Sequence, residues 1–207
     1  MSAATPLSFQ PPEAPEDQAR AGYYALLARL FYASPDAALL ESMARADEIV
    51  ASDGESALAT AWNALAAAAR AMDAEAARVE YDELFVGTGK SEVTLYTSFY
   101  LVEAGREKIL ARLRAELAGM GLERTERALE PEDHVAGLFD AMRYLISLGS
   151  NDAALRKQQE FFDCYIARSH ERLCAAISAS QKSNFYKPVA RFAEAFLAVE
   201  SEAMKVF

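Results

Sequence analysis

Apolar residues recur at three- and four-residue spacing along nearly the whole chain, which is the period of an amphipathic α-helix. The first such stripe follows Glu16 and consists of Tyr23, Leu26, Leu27, Leu30 and Phe31. No stretch alternates convincingly between apolar and polar residues, as a half-buried strand would. The pattern therefore predicts an all-α fold built from many helices.

Capping residues and glycines divide the periodic stretches into separate helices. Ser34 is predicted to cap the second helix with Pro35 in its first turn, and the fourth helix follows Asp73. Glycines at 87 and 89 interrupt the period, and the segment up to about residue 100 is the least regular in the chain. We expect this segment to be a loop, and loops on a rigid scaffold often contain binding residues.

Length and composition indicate one globular domain. The chain has 207 residues, of which 52% are hydrophobic and 25% charged, which argues against disorder. Residues 1–15 are predicted to form a flexible N-terminal tail, and residues 16–207 a single compact globular multi-helix domain. The tail has no features of a secretory signal, and no stretch approaches the roughly 20 apolar residues that span a membrane.

The charge balance restricts the partners that the protein can bind. A net charge of −10 at pH 7 disfavours nucleic acid and anionic membranes, because both require clustered Lys and Arg. The same charge suits basic partners. Cys164 and Cys174 form neither a disulfide framework nor a zinc signature, which is compatible with a reducing compartment. We expect a cytoplasmic protein without stable membrane insertion.

The run Leu-Glu-Pro-Glu-Asp-His at residues 129–134 precedes a strongly amphipathic stretch and contains one of the two histidines. Pro131 suits the first position of a helix, and acids are favourable at a helix N-terminus because the macrodipole is positive there. Helix electrostatics can therefore explain Glu132 and Glu130. The adjacent pair Asp133 and His134 is not fully explained by capping, and its negative surroundings favour a cationic partner over phosphate.

A phosphate-binding loop is one alternative. Gly-Thr-Gly-Lys-Ser at residues 87–91 is similar to the second half of a P-loop, but Leu84 stands where the first glycine is required and the preceding residues indicate a helix. A metal site at His170 and Cys174 lacks a second pair of ligands. A catalytic role for Asp133 and His134 lacks an assembled acid, base and nucleophile. We therefore expect no catalytic residues, no metal and no cofactor.

Aromatic and acidic residues surround the glycine loop. The rings belong to Tyr81, Phe85, Tyr96, Phe99 and Tyr100, and several Glu and Asp residues lie among them. Most of these rings are expected in the core. A groove lined by the remainder and edged by carboxylates would suit a peptide that combines an apolar stretch with arginines.

The chain contains several motifs that resemble, in their order along the sequence, those of the TorD/DmsD/NarJ group of cytoplasmic chaperones for molybdenum-containing redox enzymes. Tyr-Asp-Glu-Leu-Phe-Val-Gly at 81–87 is similar to the family's Tyr-x-x-Leu-Phe-x-Gly, and Ser-Phe-Tyr at 98–100 to its Ser-x-Tyr. Glu-Pro-Glu-Asp-His at 130–134 is similar to its Glu-Pro-x-Asp-His. Asn-Phe-Tyr at 184–186 resembles the start of the helix that ends these proteins.

The resemblance implies a TorD-like maturation chaperone rather than an enzyme. Such a protein binds the twin-arginine leader or the apo catalytic subunit of a molybdopterin-dependent oxidoreductase, and it assists cofactor insertion, assembly and export proofreading. Weak guanine-nucleotide binding has been suggested for some members, and both monomers and domain-swapped homodimers occur. Carried over by motif, the expected client-binding residues are Asp133, His134, Glu130, Tyr81, Phe85, Tyr96, Ser98 and Tyr100.

Two other functions stay open on the sequence. One is a nucleotide-binding or nucleotide-hydrolysing protein that uses the loop at 87–91. The other is a structural assembly subunit that remains in a redox complex.

Overall fold

A computed structural model describes residues 11–50, 56–122 and 130–205, and these residues form ten α-helices and two π-helical turns. The prediction of an all-α fold is confirmed. The π-helical turns are Asp82–Val86 and Phe162–Ile166. In chain order the α-helices are α1 (Pro15–Tyr32), α2 (Ala37–Ala44), α3 (Ala57–Ala71), α4 (Ala74–Tyr81), α5 (Ser98–Leu101), α6 (Arg106–Gly119), α7 (Val135–Ser147), α8 (Asp152–Phe161), α9 (His170–Ala179) and α10 (Tyr186–Met204).

Side-chain caps determine where several of these helices begin. Asp73 accepts hydrogen bonds from two amides of the first turn of α4, as its position in the sequence predicts. The predicted cap of α2 is wrong: α2 starts at Ala37, and Asp36 rather than Ser34 accepts the amide of Leu39 at 2.8 Å. A carboxylate oxygen two residues further on reaches this amide, so Ser34 and Pro35 remain outside the helix.

The core forms where α1 and α10 meet the other long helices. The helix α1 packs along α7, while α10 packs against α9 and α3. Tyr24 and Phe31 of α1 are completely buried, whereas Tyr23 is partly buried against Trp62 and Phe192. Apolar contacts therefore cover two sides of α1, whereas the predicted stripe of apolar residues implies one buried side.

A buried ion pair joins α1 to α10. The guanidinium of Arg20 donates from Nε to Oε1 of Glu200 (2.8 Å) and from Nη2 to Oε2 (3.0 Å). The hydroxyl of Tyr24 donates to the same carboxylate at 3.1 Å, and Arg20 also donates to Asp17 and Gln158. The network satisfies a carboxylate that is almost wholly removed from water.

A second buried carboxylate fixes the start of α10. Glu80 accepts the backbone amides of Asn184 (2.8 Å), Phe185 (3.0 Å) and Tyr186 (2.8 Å). These amides have no partner within their own helix turn, so a residue 104 to 106 positions earlier in the chain supplies the cap. No helix within the described ranges is both long and apolar enough to cross a membrane. Residues 1–10 of the predicted tail lie outside the described residues.

Candidate functional site

The loop before α5 meets the turn before α7, residues 130–134, at an antiparallel bridge between Tyr96 and His134. The amide of Thr97 donates to the carbonyl of Asp133 at 2.8 Å, and the hydroxyl of Thr97 donates to the same carbonyl at 3.1 Å. Two segments that are distant in sequence are thereby held in one register. This bridge brings the side chains of three predicted site residues together.

Tyr96, Glu130 and His134 are those three residues. The hydroxyl of Tyr96 donates to Oε2 of Glu130 at 2.7 Å, and its ring meets the ring of His134 edge to face, with centroids 5.7 Å apart. This hydrogen bond, together with burial, raises the pKa of Tyr96 to about 12. Tyr96 is 38% exposed, so its ring forms part of the surface at this bridge.

His134 caps α7 through one ring nitrogen, and its other ring nitrogen takes no part in the cap. Its Nδ1 accepts the amide of Ala136 at 3.3 Å, which assigns the proton of the neutral ring to Nε2. Burial lowers the pKa of His134, against the opposing effects of Glu130 and Asp133. The side chain is 6% exposed, and Nε2 has no hydrogen-bond partner in the part of the chain that the structure describes.

A cavity of about 580 Å³ lies beside this histidine, with α6 and α7 among its walls. Its volume is within the range of ligand-binding pockets. Small residues of α7 leave much of this space open. The described residues that line it are Tyr32, Arg114, Leu117, Ala118, Leu122, Glu130, Pro131, Glu132, His134, Ala136, Gly137, Asp140 and Ala141.

Carboxylates edge this largely apolar cavity. Glu130, Glu132 and Asp140 contribute three acidic groups, against the single cation Arg114 among the described lining residues. Arg114 donates from Nε to Oε2 of Glu132 at 2.9 Å, and Asp140 lies 3.7 Å from Arg143. Apolar walls with an acidic rim suit a ligand that has both apolar and cationic groups.

The interpretation of the acids as helix-capping residues is wrong. The helix α7 begins at Val135 with His134 as its cap, and its first turn contains no acidic residue. Pro131 lies before the cap and is not the first helical residue. Glu130 and Glu132 therefore extend from a turn, where they contact Tyr96 and Arg114 instead of the end of the helix. Leu129 lies outside the described residues.

Tyr81 and Phe85 lie in the aromatic core and do not line the cavity. The ring of Phe85 packs edge to face on Tyr186, with centroids 4.9 Å apart, and lies 5.1 Å from the ring of Tyr81. The hydroxyl of Tyr81 donates to the carbonyl of Phe31 at 3.0 Å. Burial is the main cause that raises the pKa of Tyr81, and the nearby carboxylate of Glu130 adds to it.

Ser98 and Tyr100 are buried in and around α5. The hydroxyl of Tyr100 donates to the carbonyl of Thr94 at 2.9 Å, and its own carbonyl accepts Arg172 at 2.6 Å. Tyr100 therefore braces the loop that contains Tyr96, and neither Ser98 nor Tyr100 lines the cavity. The carboxylate of Asp133 is likewise not part of the lining, although its carbonyl holds the bridge.

Sequence reasoning missed the α6 wall of the cavity. Arg114, Leu117 and Ala118 are spaced by three and four residues and so share one face of the helix. The helical period through this region predicts a helix, but it does not indicate that one face of the helix lines a cavity. Gly137 and Asp140 line the opposite side from α7, and no local pattern distinguishes them.

The loop at 87–91 differs from a phosphate-binding loop in its setting. It follows the π-helical turn Asp82–Val86, whereas a P-loop follows a strand. Gly87 has φ 65°, and a Cβ there would lie 2.4 Å from the carbonyl oxygen of Lys90. The glycine is therefore needed for a tight turn.

The two residues considered as a metal pair have other contacts. His170 lies with Nδ1 3.2 Å from the carbonyl of Ile166, and burial raises the pKa of Cys174 to about 12. Within the described ranges no group of three or more His, Cys, Asp or Glu side chains could hold a metal ion.

Comparison with known families gives one match. Residues 52–175, more than half of the chain, match the family described as "Nitrate reductase delta subunit". The matched region includes the Tyr96–His134 bridge, α6 and α7. No curated protein matches the chain. The chain therefore belongs to the nitrate reductase delta subunit family, the NarJ/TorD-like family of chaperones for the maturation of molybdoenzymes.

Proposed function

We propose that this protein is a cytoplasmic maturation chaperone that binds an arginine-containing apolar segment of its client in the cavity between α6 and α7. The client is the apo catalytic subunit of a molybdenum oxidoreductase, and the segment is its twin-arginine leader or an exposed stretch of similar chemistry. The protein catalyses no reaction. It covers the segment until the client has received its cofactor, and so prevents premature export or assembly.

The single observation that supports this proposal is the combination of acidic rim and apolar lining in one cavity. Glu130 and Glu132 line the cavity as acceptors for a guanidinium. The planar fork of a guanidinium can donate two parallel N–H bonds to one carboxylate. Leu117 and Leu122 offer apolar surface for the residues that follow an arginine. A leader segment with arginines followed by apolar residues combines both requirements.

The bridge adds a polar group suited to a peptide backbone. His134 lines the cavity, and its Nε2–H has no partner in the described part of the chain. A donor on the wall of an open cavity can exchange a hydrogen bond to water for one to a peptide carbonyl, which holds the peptide backbone in place. We therefore assign His134 to the client backbone and the carboxylates to the client arginines.

The family supports this function over the two alternatives. Family membership indicates a molybdoenzyme client, and no observation favours nucleotide binding at 87–91. A structural subunit would stay bound to its complex in stoichiometric amounts, whereas a chaperone is released after maturation. Co-purification with the mature enzyme distinguishes these two roles.

Calorimetry with a synthetic peptide tests the proposal directly. The probe is acetyl-Arg-Arg-Ala-Phe-Leu-Leu-amide, and its partner probe has citrulline, which is neutral and nearly isosteric, in place of both arginines. We expect the arginine peptide to bind about tenfold or more tightly than the citrulline peptide, because charge-assisted hydrogen bonds are lost. Equal affinities would contradict the proposed site chemistry.

Two glycine variants test the location. Gly137 lines the cavity, and a Cβ there would make an ordinary contact with the carbonyl of Glu132 at 3.6 Å, so Gly137→Leu adds a side chain at the cavity wall whose first atom fits. Gly22 of α1 has open space around its Cβ position, so Gly22→Leu is the matched control. We expect Gly137→Leu to weaken peptide binding at least about tenfold, although leucine favours the helix by about 0.5–1 kcal/mol over glycine. Unchanged binding by Gly137→Leu would exclude the cavity.

Asp133→Asn tests the motif separately from the cavity. The carbonyl that holds Thr97 is unchanged in this variant, and only the carboxylate charge is lost. The sequence predicts weaker peptide binding without loss of the fold. Normal binding with a normal unfolding temperature would show that the motif acts through its backbone alone.

A further inference from the structure

The cavity contains its own arginine. Arg114 of α6 reaches the turn before α7 and donates from Nε to Oε2 of Glu132 at 2.9 Å. It is the same side chain, paired with the same carboxylate, that the proposed function requires of the client. This inference rests on that function and concerns how the site selects its ligand.

The two partners of this ion pair differ in exposure. The side chain of Glu132 is 14% exposed, while that of Arg114 is 53% exposed. Removal of the partner of a largely covered carboxylate is unfavourable, because it leaves a poorly solvated charge, unless another cation takes the partner's place. An exposed arginine can turn into water at small cost, since exposed pairs contribute about 1 kcal/mol or less. These exposures favour replacement of Arg114 by another cation at Glu132 over separation of the pair without a replacement.

The helix that contains Arg114 is lightly anchored. Leu113 is the only buried residue among the fourteen of α6. Elements with few buried contacts open and shift at low free-energy cost. Movement of α6 or of its side chains can therefore admit a ligand without disturbing the core formed by α1, α7 and α10.

We propose that Arg114 competes with a client arginine for Glu132, so that binding exchanges one guanidinium for another. The competition selects ligands, because a group must hold Glu132 at least as well as Arg114 does. An arginine meets this requirement through its planar fork, and a lysine meets it less well. Neutral apolar segments leave the original pair in place and gain only the apolar walls.

Peptide titration of charge variants tests this competition. We expect Arg114→Gln to bind acetyl-Arg-Arg-Ala-Phe-Leu-Leu-amide about three- to fivefold more tightly than the unmodified protein, since an exposed ion pair no longer has to be exchanged. Arg114→Lys should lie between the two. Lys108→Gln is the matched control: Lys108 is an exposed cation on the same helix and does not line the cavity. Its effect should stay below about twofold, because solvent and salt screen distant charges.

A double variant separates exchange at Glu132 from a general change in charge. If Arg114 acts through Glu132, then Arg114→Gln gives no gain in a protein that already contains Glu132→Gln. A gain of the same size in that background would overturn the proposal, and so would equal or weaker binding by Arg114→Gln alone while the unmodified protein binds. Failure of both the unmodified protein and Arg114→Gln to bind the peptide would refute the proposed function, and this inference with it.

Discussion

Two arginine–glutamate pairs in this protein have the same chemistry and different surroundings. The pair Arg20–Glu200 has two hydrogen bonds between its charged groups, and the Tyr24 hydroxyl binds the same carboxylate. The pair Arg114–Glu132 has a single hydrogen bond between its charged groups, at 2.9 Å, and lies at the edge of a cavity.

The difference shows that a charged pair alone indicates neither stability nor function. A closed network around a buried carboxylate leaves no site for a ligand, and removal of one partner leaves an uncompensated charge. A single contact to a half-exposed arginine can be exchanged at little cost. We therefore attribute a structural role to Glu200, and we propose a role in recognition for Glu132.

The largest expected effect is at the buried pair. Glu200→Ala removes the main partner of Arg20 and the acceptor of Tyr24, so we expect the free energy of unfolding to fall by about 3 kcal/mol. Urea denaturation measures the change. Glu202→Ala, in the same helix, is the control because Glu202 is exposed and pairs only with Lys205 within the described residues. Equal losses in the two variants would break the comparison.

The next effect is expected at the other buried carboxylate. Glu80→Gln keeps one acceptor oxygen but turns an amide group toward backbone N–H groups that the carboxylate now satisfies. We expect unfolding to become easier by about 2 kcal/mol, because a buried donor is left without a partner. Glu83→Gln, an exposed acid close by in the chain, should be nearly neutral. A neutral Glu80→Gln would show that α10 does not depend on this cap.

A smaller effect is expected at the cavity pair. Arg114→Gln should change the free energy of unfolding by less than about 1 kcal/mol, as for other exposed ion pairs. Urea denaturation measures this change as well, and Lys108→Gln, at an exposed position of the same helix, is the control. A loss comparable to that of Glu200→Ala would mean that the cavity pair is structural, contrary to the distinction drawn above.

The smallest effect concerns pH. Burial lowers the pKa of His134 in the folded protein below its ordinary value, so the unfolded chain binds the proton at higher pH than the folded one. Stability from this group is present at neutral pH and declines as the pH falls below about 6.5. His134→Gln should reduce the fall in stability between pH 7.5 and 5.5, by an amount within about 1 kcal/mol. Carboxylates that both proteins share affect the two free energies of unfolding equally, so their contribution cancels in the difference. Identical dependence of the free energy of unfolding on pH in the two proteins would contradict the buried neutral histidine.

Helix positions were predictable because their signals are local. The apolar period predicts the helices, and Asp73 caps α4 as expected. The start of α2 was misplaced by a few residues because Ser34 and Asp36 are both good caps, and only the backbone decides between them. Glu80 could not be identified as a cap from the sequence, because the helix that it caps lies more than 100 residues away.

The candidate site was predictable in part. The motif at 130–134 and Tyr96 do meet, and Glu130 bonds to Tyr96. Tyr81 and Phe85 belong to the core, where both rings pack against Tyr186. The sequence does not distinguish an aromatic ring in the core from one that lines a binding site. Client binding by any of these residues stays a prediction until the peptide is titrated.

The sequence by itself determined the helical class, most helix positions and the motifs of the family. These properties depend on residues within a few positions of one another, so local spacing is sufficient. Only the tertiary structure decided which acids are structural and which face a cavity. Glu132 meets its arginine across 18 positions and Glu200 meets its own across 180. The role of a carboxylate follows from the water, cations and donors around it, and folding brings those together from distant parts of the chain.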